Sequence, residues 1–166
     1  MKQILLSLLF LISGSCWAQS ATGYFDKAMK KAEAGNTKGA IDDYTRAIKM
    51  NSKFGEAYQN RGVARLKLND LKGALEDFSK AIELDTMNTD AFTGRANVNY
   101  KLMNYREAID DCSACLEMNP RDYVAYNLRG LAYNKTGDKK NACKDFSKAI
   151  ELGSQSAIKN RATFCK

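Results

Sequence analysis

The residues in this chain best suited to chemistry are Cys112 and Cys115, which stand in the run CSAC. Two thiols at that spacing can exchange with a disulfide or supply half of a zinc site. Exchange also needs one sulfur held as thiolate, a state favoured at a helix N-terminus. Three acid pairs, Asp42–Asp43, Glu76–Asp77 and Asp110–Asp111, raise a second option, the carboxylates of a glycoside hydrolase. Three arginines at one regular interval, Arg61, Arg95 and Arg129, in a column that Lys27 begins, would suit an anionic ligand. The chain has no histidine. This removes Ser-His-Asp and Cys-His nucleophile systems and every His-containing metal site, and no second CxxC completes a cysteine zinc site.

What these residues can do depends on the elements that carry them, and those elements repeat. GAIDDYTRAIKM begins at Gly39, GALEDFSKAIEL at Gly73, EAIDDCSACLEM at Glu107 and NACKDFSKAIEL at Asn141, each 34 residues after the last. At that period the chain divides into segments 21–54, 55–88, 89–122 and 123–156. The twentieth column is Ala40, Ala74, Ala108 and Ala142. Four residues on come Tyr44, Phe78, Cys112 and Phe146, then Ala47, Ala81, Cys115 and Ala149, and next Ile48, Ile82, Leu116 and Ile150. Offsets of four, three and one place these on one stripe of a helix. Earlier in each segment, the fourth column holds Tyr24, Tyr58, Phe92 and Tyr126, and the eighth holds Ala28, Gly62, Ala96 and Gly130. That is a second helix stripe, with small residues where another backbone comes close. Between the stripes lie Gly35-Asn36, Asn69-Asp70, Met103-Asn104 and Gly137-Asp138, residues that end one helix and cap the next, with Met103 the poorest of them. Each segment therefore reads as helix, tight turn, helix. A hairpin of this length cannot bury its apolar stripe alone, so neighbouring hairpins must stack into a continuous core.

Set on these elements, the chemical candidates change meaning. Cys112 and Cys115 fall in mid-helix, in columns held elsewhere by aromatic residues and alanine, and read as small core residues. The acid pairs recur with the scaffold, and adjacent helical residues point about 100° apart, which is poor geometry for paired catalysis. The arginine column has a matching acidic column, Asp43, Asp77, Asp111 and Asp145. Each second helix packs against the first helix of its own segment and of the next, so the predicted pairs are Asp43 with Arg61, Asp77 with Arg95 and Asp111 with Arg129. Lys27, which has no such aspartate before it, is also the one member that is not arginine. No catalytic residue, metal site or cofactor is expected.

The pattern resembles the tetratricopeptide repeat family, an all-α solenoid of stacked helix-turn-helix units. Tyr126, Gly130, Tyr133, Ala142, Phe146 and Ala149 carry the likeness in the last segment, and Tyr58, Gly62, Ala74, Phe78 and Ala81 in the second. The family's proline survives only as Pro120, and its leucine before the glycine has become Lys27, Arg61, Arg95 and Arg129. The resemblance implies a concave groove along the first helices, faced by the second, fifth, ninth, twelfth and thirteenth columns. Those columns supply Phe25 and Met29, then Gln59, Val63 and Lys67, then Asn97, Tyr100 and Lys101, then Asn127, Leu131, Asn134 and Lys135. Asn60 stands beside them in the sixth column. Amides and apolar side chains in this mixture suit an extended peptide. Repeats that grip the carboxylate of cytosolic heat-shock chaperones use a lysine and asparagine clamp; at its positions this chain has Phe25, Met29, Asn60, Asp90 and Gly94, and only Asn60 matches.

The two ends carry further expectations. MKQILLSLLFLISGSCWAQS has a positive Lys2, an apolar run from Ile4 to Ile12 and a small-residue exit at Ala18, which predicts an export signal over 1–18 and a mature domain over 19–166. The run is too short to span a bilayer as an ordinary helix, so no membrane span is expected in the mature chain. Lipid attachment to Cys16 and an uncleaved anchor are the alternatives, although Ser13 stands where lipoprotein signals usually carry an aliphatic residue. Residues 157–166 read as a capping helix running antiparallel to the helix that starts near Lys139. This brings Cys165 towards Cys143, and in an oxidising compartment it predicts a disulfide. The net charge of +7 is spread through interleaved charges, giving a mixed solvated surface and no nucleic-acid site. The reading is a periplasmic or secreted scaffold for a protein or peptide, with thiol exchange at Cys112 and Cys115, or binding of an anionic envelope polymer, as alternatives.

Overall fold

The computed structural model describes residues 20–165, and the described residues form nine α-helices and no strand. In chain order these are α1 (Ala21–Glu33), α2 (Thr37–Met50), α3 (Gly55–Lys67), α4 (Leu71–Leu84), α5 (Thr89–Lys101), α6 (Tyr105–Met118), α7 (Tyr123–Lys135), α8 (Lys139–Glu151) and α9 (Gln155–Phe164). The predicted export signal and Cys16 lie outside the described residues.

The hairpin turns follow from their residues. Gly35, Asn69, Met103 and Gly137 take positive φ values of 78°, 62°, 65° and 87°, the left-handed conformation that stops a helix. The residue after each one is the N-cap of the next helix. Asn36 and Asp70 accept the N–H of Gly39 and Gly73 at 3.0 Å, and Asp138 accepts that of Asn141 at 3.1 Å. That backbone hydrogen bond also holds the Asp138 carboxyl below its ordinary range. Asn104 makes no such side-chain bond, so the turn at Met103 is the weakest of the four in both its residues.

Each first helix packs against its own second helix, and each second helix against the first helix of the next hairpin. First helices also touch one another, α3 with α5, α5 with α7 and α7 with α9, whereas successive second helices make no comparable contact among the described residues. The first helices therefore line the inner side of a curved stack. The core is the repeating stripe: the four alanines of the twentieth column are fully buried, and so are Phe78, Cys112 and Phe146.

The helix interfaces complement each other in size. Gly94 lies against the Phe78 ring so closely that an added Cβ would stand 2.5 Å from it. One repeat on, the aromatic position is the small Cys112, and Leu128 fills the space in the position of Gly94. After the last hairpin, Phe164 of α9 stacks on Phe146, with ring centroids 6.2 Å apart. Cys143 and Cys165 are joined by a disulfide with Cα atoms 5.7 Å apart, as their placement predicts. It ties the end of the capping helix to the first turns of α8.

The arginine column is paired, but with different partners from those predicted. Arg61 donates from Nε and Nη2 to Asp77 at 2.9 and 2.6 Å, Arg95 to Asp111 at 3.0 and 2.6 Å, and Arg129 to Asp145 at 2.8 and 3.0 Å. The pairing lies within each hairpin and not between neighbours. What reaches across to the previous hairpin is the third guanidinium nitrogen, which donates to Thr45, Ser79 and Ser113 respectively. The reason is helical geometry. The hydroxyl follows the aspartate by two residues, a rotation of about 200°, so the aspartate faces its own first helix and the hydroxyl faces the next one. Asp43 accordingly does not meet Arg61 and is held by Lys31 at 2.6 Å and Arg46 at 3.0 Å. Each paired arginine also lies over the aromatic ring three residues earlier, Tyr58, Phe92 or Tyr126, at 5.5 to 5.6 Å. Burial pulls the Arg129 guanidinium down, and the Asp145 hydrogen bond and charge outweigh it, leaving it above its ordinary value.

Candidate functional site

The thiol pair sits in the middle of α6 with both side chains fully buried, and neither is in a disulfide. Cys112 packs with Ala96 and Leu128. Cys115 receives a hydrogen bond from Thr93 Oγ1 at 3.2 Å and donates to Asp122 Oδ2 at 3.5 Å. Burial pushes both thiols above their ordinary value, and the nearby charge of Asp122 and Asp90 adds to the rise at Cys115. A thiolate is thus disfavoured at both sulfurs, the reverse of what exchange chemistry requires. The acid pairs are split between two environments. Asp43, Asp77 and Asp111 are buried in ion pairs, while Asp42, Glu76 and Asp110 face solvent.

The inner side of the stack holds a cleft of about 470 Å³ that runs across α3, α5 and α7. Its floor is apolar, built from Val63, Leu66, Phe78, Leu128 and Leu131. Asn97 and Asn127 offer amides from two successive first helices, and Asp90, Thr93, Asp122 and Val124 complete the wall. Asn127 already accepts a hydrogen bond from Asn160 of the capping helix at 2.8 Å, which leaves its amide N–H groups for a ligand carbonyl. A second cleft of about 200 Å³ adjoins it, with Met29, Asn60, Val63 and Lys67 among its lining residues. Val63 lines both, so the two clefts meet at that side chain on α3.

Of the predicted groove residues, Val63, Asn97, Asn127 and Leu131 line the larger cleft, and Met29, Asn60, Val63 and Lys67 the smaller, whereas Phe25 packs against the rings of Tyr44 and Phe54. Gln59 is engaged in the scaffold, its side-chain oxygen accepting from Asn88 at 2.7 Å. Tyr100 packs edge-on against Tyr105, with ring centroids 5.5 Å apart, and its phenol is pushed up first by burial and then by Tyr105. Tyr100, Lys101, Asn134 and Lys135 line neither cleft. Sequence reasoning did not single out Asp90, Thr93 and Val124 as groove residues, although they occupy columns it had assigned to the groove. Leu66, a twelfth-column residue in the floor of the larger cleft, is a further groove residue of this kind. Gly94, Leu128 and Asp122 lie outside those columns; the alternation of Gly94 with Leu128 in the sixth column was the available signal.

A family profile described as Tetratricopeptide repeat matches residues 55–86 and 89–122, and a second of the same description matches residues 123–153. No curated protein matches the chain. Several solved structures share the fold. MamA from Desulfovibrio magneticus RS-1 is 21% identical, with a TM-score of 0.81 over 87% of this chain and 82% of its own. The TPR domain of Arabidopsis OM64 is 26% identical, with a TM-score of 0.67 over 69% of this chain and 94% of its own. The first TPR of Spaghetti (RPAP3), solved bound to the HSP90 peptide SRMEEVD, is 25% identical, with a TM-score of 0.70 over 72% of this chain and 95% of its own.

Proposed function

The chain belongs to the tetratricopeptide repeat family, and from that membership we propose that it is a non-catalytic scaffold holding a protein or peptide in the groove along its first helices. The observation that carries this reading is the continuous cleft over three successive hairpins, apolar at its base and fringed by Asn97 and Asn127. An extended backbone can hydrogen-bond to the amides while a side chain occupies the apolar floor. The likeness to a repeat domain solved with a peptide bound supports it. Only Asn60 stands at a position of the heat-shock carboxylate clamp, so the proposed ligand is held along its length and not by its terminus.

The scaffold is proposed to work outside the cytoplasm. Support comes from the export signature in residues 1–18 and from the Cys143–Cys165 disulfide, a bond that persists in oxidising compartments. Burial of Cys112 and Cys115 argues against thiol exchange. An anionic polymer finds no cation among the residues lining the larger cleft.

The test is photo-crosslinking in the native host, with benzoyl-phenylalanine placed at Asn97 in the groove or at the exposed Glu117 on α6. A partner adduct specific to position 97 is expected. Equal adducts at both positions, or none at 97, would refute the groove as the binding site.

A further inference from the structure

We infer that the larger cleft selects an extended segment in which a cationic side chain stands next to an apolar one, an inference that rests on the peptide-groove reading above. The charge of the lining runs against the charge of the chain. Lys and Arg number 26 against 19 Asp and Glu, yet the larger cleft is lined by Asp90 and Asp122 and by no lysine or arginine. Asp90 is exposed and makes no ion pair or side-chain hydrogen bond among the described residues. Asp122 uses Oδ1 to cap α7, accepting from Val124 and Ala125 at 2.8 and 3.0 Å. Its Oδ2 meets only the thiol of Cys115, a weak donor, so this oxygen keeps lone-pair capacity for a cation. Asp90, in the first turn of α5, and Asp122, the N-cap of α7, stand at the same ends of two successive first helices and line the same cleft.

Beside them the floor opens because the sixth column of α5 is Gly94. There the Phe78 ring takes the place that a side chain at position 94 would occupy, and Leu128 and Leu131 bound the space on the α7 side. A ligand with an apolar side chain over this floor and a lysine or arginine next to it would meet both features at once. An acidic neighbour would face two carboxylates with no compensating cation. Two partly exposed charge pairs together amount to about a tenfold preference for the cationic ligand.

The experiment is selection of a random dodecapeptide display library on the full chain, followed by affinity measurement of the enriched peptides. Counter-screens use Asp90→Lys, Asp90→Asn and a groove-blocking Val63→Arg/Asn97→Arg variant, each checked for native helicity. Enriched peptides should carry lysine or arginine beside a large apolar residue, bind less tightly as salt rises, and weaken about tenfold on Asp90→Lys. Peptides that are lost with the blocked groove but are acidic or neutral, or that ignore both Asp90 variants, overturn the charge inference and leave the groove reading standing. If no peptide depends on the groove, both readings fall together.

Discussion

Replacing Arg95 with methionine removes the charge while keeping a linear apolar side chain. In the native stack Arg95 gives Asp111 a two-bond fork at 3.0 and 2.6 Å and donates to Ser79 at 3.4 Å. Asp111 is only 5% exposed, and without the arginine its remaining side-chain partner is Asn99 at 3.1 Å. A buried carboxylate stripped of its cation typically costs 3–5 kcal/mol. The Arg95 side chain is itself 25% exposed, so water reaches the site and the lower end applies, about 3 kcal/mol. For a chain of this size that is a fall of roughly 6–12 °C in melting temperature. The assay is urea and thermal unfolding followed by far-UV circular dichroism, with hydrogen exchange to localise the loss to α5 and α6, because stacked repeats can unfold in parts. Two companions sharpen the result. Arg95→Met/Asp111→Leu removes the stranded carboxylate and should recover most of the loss. Arg95→Lys/Asn99→Lys copies the first repeat, where lysines stand at positions 27 and 31 and Lys31 reaches Asp43, and should be more stable than Arg95→Lys alone. If Arg95→Met melts within about 2 °C of the parent, the column is not structural and the reasoning from buried pairs fails.

Cys143→Ser should cost about 3 kcal/mol for a loop spanning 22 residues and speed hydrogen exchange in α9 while sparing α1 to α4; unchanged protection in α9 would refute the pinning role. Met103→Gly should stabilise the chain by about 1 kcal/mol in thermal melts, since only glycine holds a φ of 65° without a steric penalty. Iodoacetamide at pH 8 should leave Cys112 and Cys115 unmodified in the native protein and label both in urea. Because burial raises the folded thiols above the ordinary value of 9.0, their contribution to stability is complete below that pH and drains away as pH climbs beyond it. Cys112→Ala should therefore flatten the alkaline side of the stability curve, and an unaltered slope would contradict the assignment.

Local rules made much of this protein legible from its residues. The spacing of Ala40, Tyr44, Ala47 and Ile48 and its three echoes follow from helical periodicity, and the turns at Gly35, Asn69 and Gly137 from the few residues that tolerate a left-handed backbone. Cys143 and Cys165 could be matched because a cap helix has one antiparallel way to lie on its neighbour. The arginine partners could not be read in the same way. In a periodic chain the aspartate of the preceding hairpin and that of the same hairpin belong to one column, so the sequence pattern is the same for both pairings. Only the rotation of each second helix decides that Asp111 faces Arg95 and that Ser113 faces Arg129. The cleft is likewise tertiary. It depends on Gly94 meeting the Phe78 ring across a helix interface and on Leu128 meeting Cys112 one repeat later, contacts between residues whose columns vary freely until packing sets them side by side. Periodicity dictates which face of a helix is buried, but the distance and angle between helices dictate which atoms meet there.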